Sequence, residues 1–437
     1  MRTVPSHRAT TKQLSGAYPF VCESGLGGQG VLIGQDLLGG PFCYDPFDLY
    51  RRGILSNPNM VVLGQLGKGK SSLIKTYLWR QGVFGRKCWV IDPKGEYGVL
   101  AAHWGVKPIF LRPNGAIKLN PLDDPRGGRD YAGGTVTVRR VELLTAIVSS
   151  SLQRILLPAE VSAIEMAVCD AEGRNWQPVI PHVVEALLSP SFASATALRT
   201  TVNDLSSDGR QVALELRRLV SGDMRGMFDG PTSDGISLDA PLVVLDLSAI
   251  YGSAALGTLM SCAMAWLQGI VEKLADGSVA DGSVADGSVA DGMPDGAQVI
   301  LVVDEAWAVL KNPVVARWLQ SSWKLARAKG VSNIAVVHRA SDLLAVGAAG
   351  AEQIELAKGL LADSETRVVY SQPPGEVALA SELLGLSSVE TGIVSSLGKG
   401  TALWKVGQRS FLVRHDLSAS EYRFVQTDER MGGLGAY

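Results

Sequence analysis

Met60-Val61-Val62-Leu63-Gly64-Gln65-Leu66-Gly67-Lys68-Gly69-Lys70-Ser71-Ser72 is the stretch that decides the fold. Its first four residues are all apolar, the pattern of a parallel strand covered on both faces. Gly64 to Ser71 then fits G-x-x-x-x-G-K-[ST] in full, and Ser71 to Arg80 carries helical spacing. Strand, glycine turn and helix in that order give a loop whose backbone N–H groups wrap a phosphate, with the positive end of the helix dipole behind them. Gly64, Gln65, Leu66, Gly67, Lys68, Gly69, Lys70, Ser71 and Ser72 are therefore the candidate nucleotide-binding residues. Lys70 is expected to reach the β- and γ-phosphates of ATP, and the Ser71 hydroxyl to coordinate Mg2+. A chance match is the bland alternative in a chain with 49 glycines, but chance does not supply the flanking strand and helix.

Outward from this unit, Cys88-Trp89-Val90-Ile91 reads as a second buried strand closed by Asp92-Pro93, which completes a βαβ unit. Leu242 to Leu245, Val299 to Val303, Ile334 to Val337 and Arg367 to Tyr370 are further apolar runs of strand length. They alternate with helical segments, so the class is α/β with a mostly parallel central sheet and helices on both faces. Gly400 to Val413 alternates in character and predicts an antiparallel extension or edge. Asp304-Glu305 follows five apolar residues, which puts both carboxylates at the carboxyl end of the sheet, where open α/β folds bind ligands. Asp304 is the candidate Mg2+ holder, through its water shell. Glu305 is the candidate catalytic base that orients and deprotonates the attacking water. The competing reading is a helix start, where acids are favoured by the dipole.

The chain organises as a disordered 1–16, a first ATPase part over 17–125, an inserted mostly helical subdomain over 126–235, a second ATPase part over 236–430 and a tail over 431–437. Glu160 to Asp170 and Gln211 to Val220 carry the helical spacing of the insert, and a helix is expected over Ala254 to Leu274 and another over Val314 to Lys329. Within the second part, 275–296 is expected to be a flexible loop. It holds ADGSV three times and then ADG, units too small to bury a core and rich in turn-forming Asp-Gly pairs.

Lysine and arginine number 41 against 43 acids, a net charge of −2, so no overall basic surplus points to nucleic acid. The five cysteines are scattered without a CxxC pair, which argues for reduced thiols and against a zinc site or disulfide framework. The polar N-terminus lacks the apolar core of a signal peptide. Ala254 to Val271 reads as a buried helix and not a membrane span, so a cytoplasmic chain with no transmembrane segment is expected. Any membrane attachment is then peripheral, on the cytoplasmic face and through a partner.

Asp92-Pro93-Lys94-Gly95-Glu96-Tyr97, one strand after the glycine loop, resembles a motif of the HerA–FtsK superfamily of hexameric P-loop motors. Within it, the chain is most similar to the conjugative type IV secretion ATPases of the VirB class. Leu119 to Asp123, Phe228 to Thr232, Asp304-Glu305-Ala306-Trp307 and Ser418 to Thr427 carry the resemblance on, over about residues 40–430. It implies a RecA-like P-loop NTPase fold and a sensor at the end of the strand after Asp304-Glu305. Val337-His338 stands there in place of the usual Thr-Gln, so His338 is the candidate sensor, with a pH-dependent charge. Arg327-Ala328-Lys329-Gly330 resembles the family's Arg-x-x-Gly segment, which makes Arg327 the candidate trans-acting catalytic arginine and Arg367 its rival. Only residues 1–59 precede the first strong strand, so the chain reads as a motor domain. The implied function is Mg2+-dependent ATP hydrolysis by a hexameric ring that powers conjugation-like or secretion-like transfer of DNA or protein at a membrane-bound complex. The alternatives are a HerA-like or coupling-protein-like DNA translocase and a nucleotide-gated scaffold with weak turnover.

Overall fold

Met60–Leu63 forms a strand with every residue buried, as its uniform apolarity predicts. The computed structural model describes residues 25–123, 134–280, 298–310, 316–343 and 358–425, apart from 153, 176, 223, 235, 237–239, 254, 318, 321, 322, 325 and 326. The chain starts with β1 (Val31–Asp36), β2 (Gly40–Tyr44), α1 (Pro46–Arg51), β3 (Met60–Leu63), α2 (Lys70–Gln81), β4 (Lys87–Asp92), α3 (Gly98–His103) and β5 (Ile109–Phe110). Five helices follow: α4 (Gly134–Leu152), α5 (Pro158–Arg174), α6 (Ile180–Leu188), α7 (Phe192–Ala197) and α8 (Val202–Ser221). Then come β6 (Leu242–Asp246), α9 (Leu256–Ala280), β7 (Val299–Val303), α10 (Trp307–Leu310) and β8 (Val331–Val337). The last elements are β9 (Thr366–Val369), α11 (Pro374–Leu384), α12 (Ser388–Ser395), β10 (Thr401–Val406), β11 (Arg409–His415) and α13 (Tyr422–Val425).

The chain divides into two compact units. One comprises Met1–Val83, His338–Ala340 and Ser364–Tyr437, and the other Phe84–Val337 and Ser341–Asp363. In the first unit the strand order is β2-β1-β11-β10-β9-β3. Its neighbours are antiparallel except for β3 and β9, which run parallel with Leu63 opposite Val369. The antiparallel extension is thus larger than the C-terminal sequence alone suggests, because β1 and β2 join it. Helix α2 buries Leu73, Ile74, Tyr77 and Leu78, and Tyr77 lies 6.1 Å from Tyr44 within a ring cluster that includes Phe42, Trp404 and Phe411. Each buried ring contributes roughly 1.5–3 kcal/mol. The exposed Arg51–Asp48 and Arg52–Asp48 pairs of α1 contribute under about 1 kcal/mol apiece. Rings, not surface charges, hold this unit.

The far end of α2 is tied down by Arg80, whose guanidinium donates to both oxygens of Glu421 and to the Asp416 carbonyl. It also reaches the carbonyls of Leu32 and Ile33. Arg80 is therefore structural, which agrees with its position almost three turns beyond Lys70.

In the second unit β8-β7-β4-β6-β5 are all parallel. The partners of β4 are β6 and β7, so the strand–helix–strand segment from β3 to β4 is not a pair of ladder neighbours. Helices α4 to α8 lie between β5 and β6 in sequence. Helix α8 turns Leu205, Val212, Ala213, Leu216 and Leu219 inward at helical spacing, and Thr201 caps it by accepting from the Asp204 N–H. Helix α9 runs on to Ala280, six residues into the repeat that the sequence predicts as loop; residues 281–297 lie outside the described residues. Of the helix expected over 314–329, the described part is helical at 316–317, 319–320 and 323–324. Among the described residues no helix is long and apolar enough to cross a membrane.

His415, at the end of β11, lies 2.8 Å from Thr76 Oγ1 of α2. Burial, with help from Arg80 and against Glu421 and Asp416, pulls its pKa down to about 4. An unfolded histidine takes up its proton near pH 6.5, so the unfolded chain gains a proton that the folded chain refuses between those values. The contribution of His415 to stability should be complete above pH 6.5 and fall by up to about 3 kcal/mol as pH drops to 4. Denaturant midpoints of the wild type and of His415→Gln across pH 4–7 check this: the difference between the two proteins should carry that slope.

Candidate active site

The glycine loop depends on backbone conformations that other residues rarely adopt. Gly67 has φ +74° and Gly69 φ +114°, both left-handed. Gly69 is the N-cap of the twelve-residue α2 and makes no side-chain cap to its first N–H groups. Lys70 is only 4% exposed. Its ammonium donates to the Gly64 carbonyl and, at 3.1 Å, to the Gln65 carbonyl, folded onto the loop it would serve. Ser71 and Ser72 are half-buried in the first turn, Gln65 and Leu66 are exposed, and Lys68 is half-buried. The sequence-predicted binding residues therefore fall on one continuous loop and helix start.

Three neighbours of this loop escape sequence reading. The N–H of Gln65 donates to the Ser371 carbonyl just past β9. A Cβ on Gly64 would lie 2.4 Å from the Tyr370 Cβ. The Gly400 N–H donates to the Lys68 carbonyl at 2.9 Å. Only the sheet order brings these segments together, so no local signal could reveal them.

The acidic centre belongs to the second unit. Past β7 the Asp304 N–H donates to the Ile91 carbonyl of β4 and the Ala306 N–H to the Val336 carbonyl of β8. Glu305 between them is held at φ +53°, and its carbonyl accepts from the Ala308 N–H to start α10. The residue is both a helix start and a strained position, and strain of this kind collects at functional sites. Its carboxylate is 1% exposed. Lys94 Nζ pairs with Oε1 and the Trp307 indole N–H donates to Oε2. Asp304 is pushed up to about 7 by burial, then by Glu305, Asp92 and Glu96.

Asp92-Pro93-Lys94-Gly95-Glu96-Tyr97 is a turn built on one carboxylate. Oδ1 of Asp92 accepts from the N–H groups of Lys94, Gly95 and Glu96, and Oδ2 from that of Tyr97, at 2.9–3.2 Å. Burial pushes Asp92 up to about 6, against the bonds from Tyr97 and Glu96. Gly95 is required at φ +71°, where a Cβ would come within 3.1 Å of Ser248.

The donor chemistry fits Mg2+. Ser71 in the first unit and Asp304 in the second each carry hard oxygens, and within the second unit the neighbouring acids leave Asp304 in a field that favours a cation. Among the described residues no cluster of three or more His, Cys, Asp or Glu side chains could hold a metal.

His338 is half-buried directly after β8. Arg327 is exposed in a short turn before β8. Arg367 is different: it donates to the carbonyls of Ser364 and Leu384, which it ties to β9. A guanidinium spent on two carbonyls of its own chain does not suit a trans-acting role.

No family model and no curated protein matches the sequence. Solved structures do. VirB4 of Thermoanaerobacter pseudethanolicus matches with a TM-score of 0.69 at 21% identity, over 92% of this chain and 100% of that one. The plasmid coupling protein TrwB, in complex with the non-hydrolysable ATP analogue ADPNP, matches with a TM-score of 0.60 at 15% identity, over 95% and 96%. TrwB in complex with ADP and Mg2+ gives 0.58 at 15%, over 89% and 91%. The chain has the RecA-like P-loop NTPase fold of these proteins, with its inserted helices.

The packing of Gly64 gives a direct check. Gly64→Ala should destabilise the chain by about 1–3 kcal/mol, the scale of an overpacked interior, because Tyr370 blocks the added carbon. Gly98→Ala, at the start of α3 with open space around it, is the control and should unfold at the wild-type temperature or above. Equal thermal midpoints for all three proteins would contradict the packing.

Proposed function

We propose that this chain binds Mg·ATP at Gly64–Ser72 and hydrolyses it. The observation that carries the reading is the uncapped start of α2 behind two left-handed glycines, with the Lys70 ammonium folded onto the same loop. Lys70 moves from the Gly64 and Gln65 carbonyls to the phosphates. Ser71 and, through water, Asp304 would hold Mg2+, which would offset the charge of the phosphates. Glu305 accepts a proton from water as its oxygen bonds to the γ-phosphorus. The bond to the bridging oxygen breaks, and its electron pair leaves with ADP. His338 donates a hydrogen bond to the γ-phosphate or to that water.

The same reading places the chain in the HerA–FtsK superfamily, as a ring-forming, hexameric motor in the cytoplasm that docks peripherally on a membrane-bound conjugation or secretion complex and drives transfer of DNA or protein. The higher structural likeness to VirB4 than to TrwB supports the secretion side of that reading. Arg327, exposed before β8, supplies positive charge to the nucleotide of a neighbouring subunit.

Lys70→Ala should reduce Mg2+-dependent ATPase to background. Glu305→Gln should keep nucleotide affinity but lower turnover on the order of a hundredfold or more. Near-normal turnover in both variants would remove the site. For the arginine, Arg327→Ala subunits mixed with Lys70→Ala subunits should recover activity at mixed interfaces, since each supplies what the other lacks. No recovery, with specific activity constant down to proven monomer, would rule out catalysis in trans.

A further inference from the structure

Lys94 has no assigned part in the chemistry above, yet it is the cation on the proposed base. Its ammonium pairs with Glu305 Oε1 while Trp307 donates to Oε2, so both carboxylate oxygens are held. A carboxylate offers about four acceptor positions. The Lys94 and Trp307 contacts, one on each oxygen, fix the plane of the carboxylate. Lys94 itself is held from behind. Asp92 gathers four backbone N–H groups into the turn that carries it, and its ammonium stands 5.7 Å from the centre of the Tyr251 ring. Its side chain is 21% exposed, against 1% for Glu305.

Glu305 needs this restraint. Its left-handed backbone at φ +53° is strained for a residue with a side chain and persists only where surrounding contacts over-determine it. The backbone is pinned by the β4 and β8 carbonyls on either side, and the side chain by Lys94 and Trp307. From this arrangement, we infer that Lys94 is a positioning residue for Glu305, aided by Trp307, and that the Asp92–Tyr97 turn exists to deliver it. The inference rests on the reading of Glu305 as catalytic base. The structural alternative is a plain buried ion pair that only holds α10 in place.

Turnover separates the two. Steady-state ATPase of the full chain with saturating Mg2+ should give, for Lys94→Met, a kcat lower by roughly ten- to hundredfold, the cost of a slightly misplaced catalytic group. The KM for ATP and the affinity for ADPNP should stay within about twofold. Lys94→Arg should keep most of the wild-type kcat. Trp307→Phe should lower kcat by a smaller factor, and it serves as the independent variant where Lys94→Met does not fold. In a Glu305→Gln background Lys94→Met should cause no further loss. An unchanged or raised kcat in Lys94→Met and Trp307→Phe, with Glu305→Gln still inactive, overturns the positioning role and leaves the base intact. A Glu305→Gln variant with normal turnover overturns both. Equal loss of ADPNP affinity and kcat in folded Lys94→Met also overturns it, since a merely structural pair acts on both.

Discussion

Gly69 at φ +114° is the conformation on which the rest of the candidate site depends. It lets the chain turn from the loop into α2 without a capping side chain on the first N–H groups of that helix. A side chain with Cβ there would strain the backbone and meet Gly400 at 3.4 Å. The parallel ladder of β3 with β9 holds the loop from the other side, with Tyr370 filling the space that a side chain at Gly64 would need. The ring cluster under α2 then keeps the helix axis fixed on the strands. Loop, helix and strands form one packed arrangement.

The second unit is organised around buried negative charge. Asp92, Asp304 and Glu305 are each buried to within a few per cent of their surface. Burial of a carboxylate is costly unless hydrogen bonds or cations meet it. Asp92 is met by four backbone N–H groups, which converts its cost into a defined turn. Glu305 is met by Lys94 and Trp307. Asp304 is met by the Glu305 N–H, and burial with the acids around it pushes it up to about 7. The roles proposed for the three acids rest on that gradation, from a carboxylate met by four N–H groups to one raised by burial and its acidic neighbours.

Much of this was legible in the sequence, and the reasons are local. Met60–Leu63 and Val299–Val303 are apolar throughout, so they read as buried strands, and the glycine loop and Asp304-Glu305 follow directly from them. The structural partners were not legible, because they come from strands distant in sequence. Tyr370 and Gly400 reach the loop only through the order β10-β9-β3. Lys94 reaches Glu305 only because β4 lies beside β7; from sequence alone its hexapeptide is a turn or a family motif. Arg367 looked equivalent to Arg327 until the carbonyls of Ser364 and Leu384 accounted for its guanidinium. The helix through Ala280 shows a further limit: turn-forming Asp-Gly residues did not stop a helix begun by the strongly apolar Leu256–Val271 segment.

The central claim is that the loop at Gly64–Ser72 takes the phosphates of a nucleotide. Equilibrium titration of the full chain with a fluorescent ATP analogue, with and without Mg2+, tests it most directly. The account predicts one saturable site per chain, tighter with Mg2+, displaced by ATP and ADP but not by adenosine, which carries no phosphate. Absence of saturable binding, or displacement by adenosine as readily as by ATP, would contradict it.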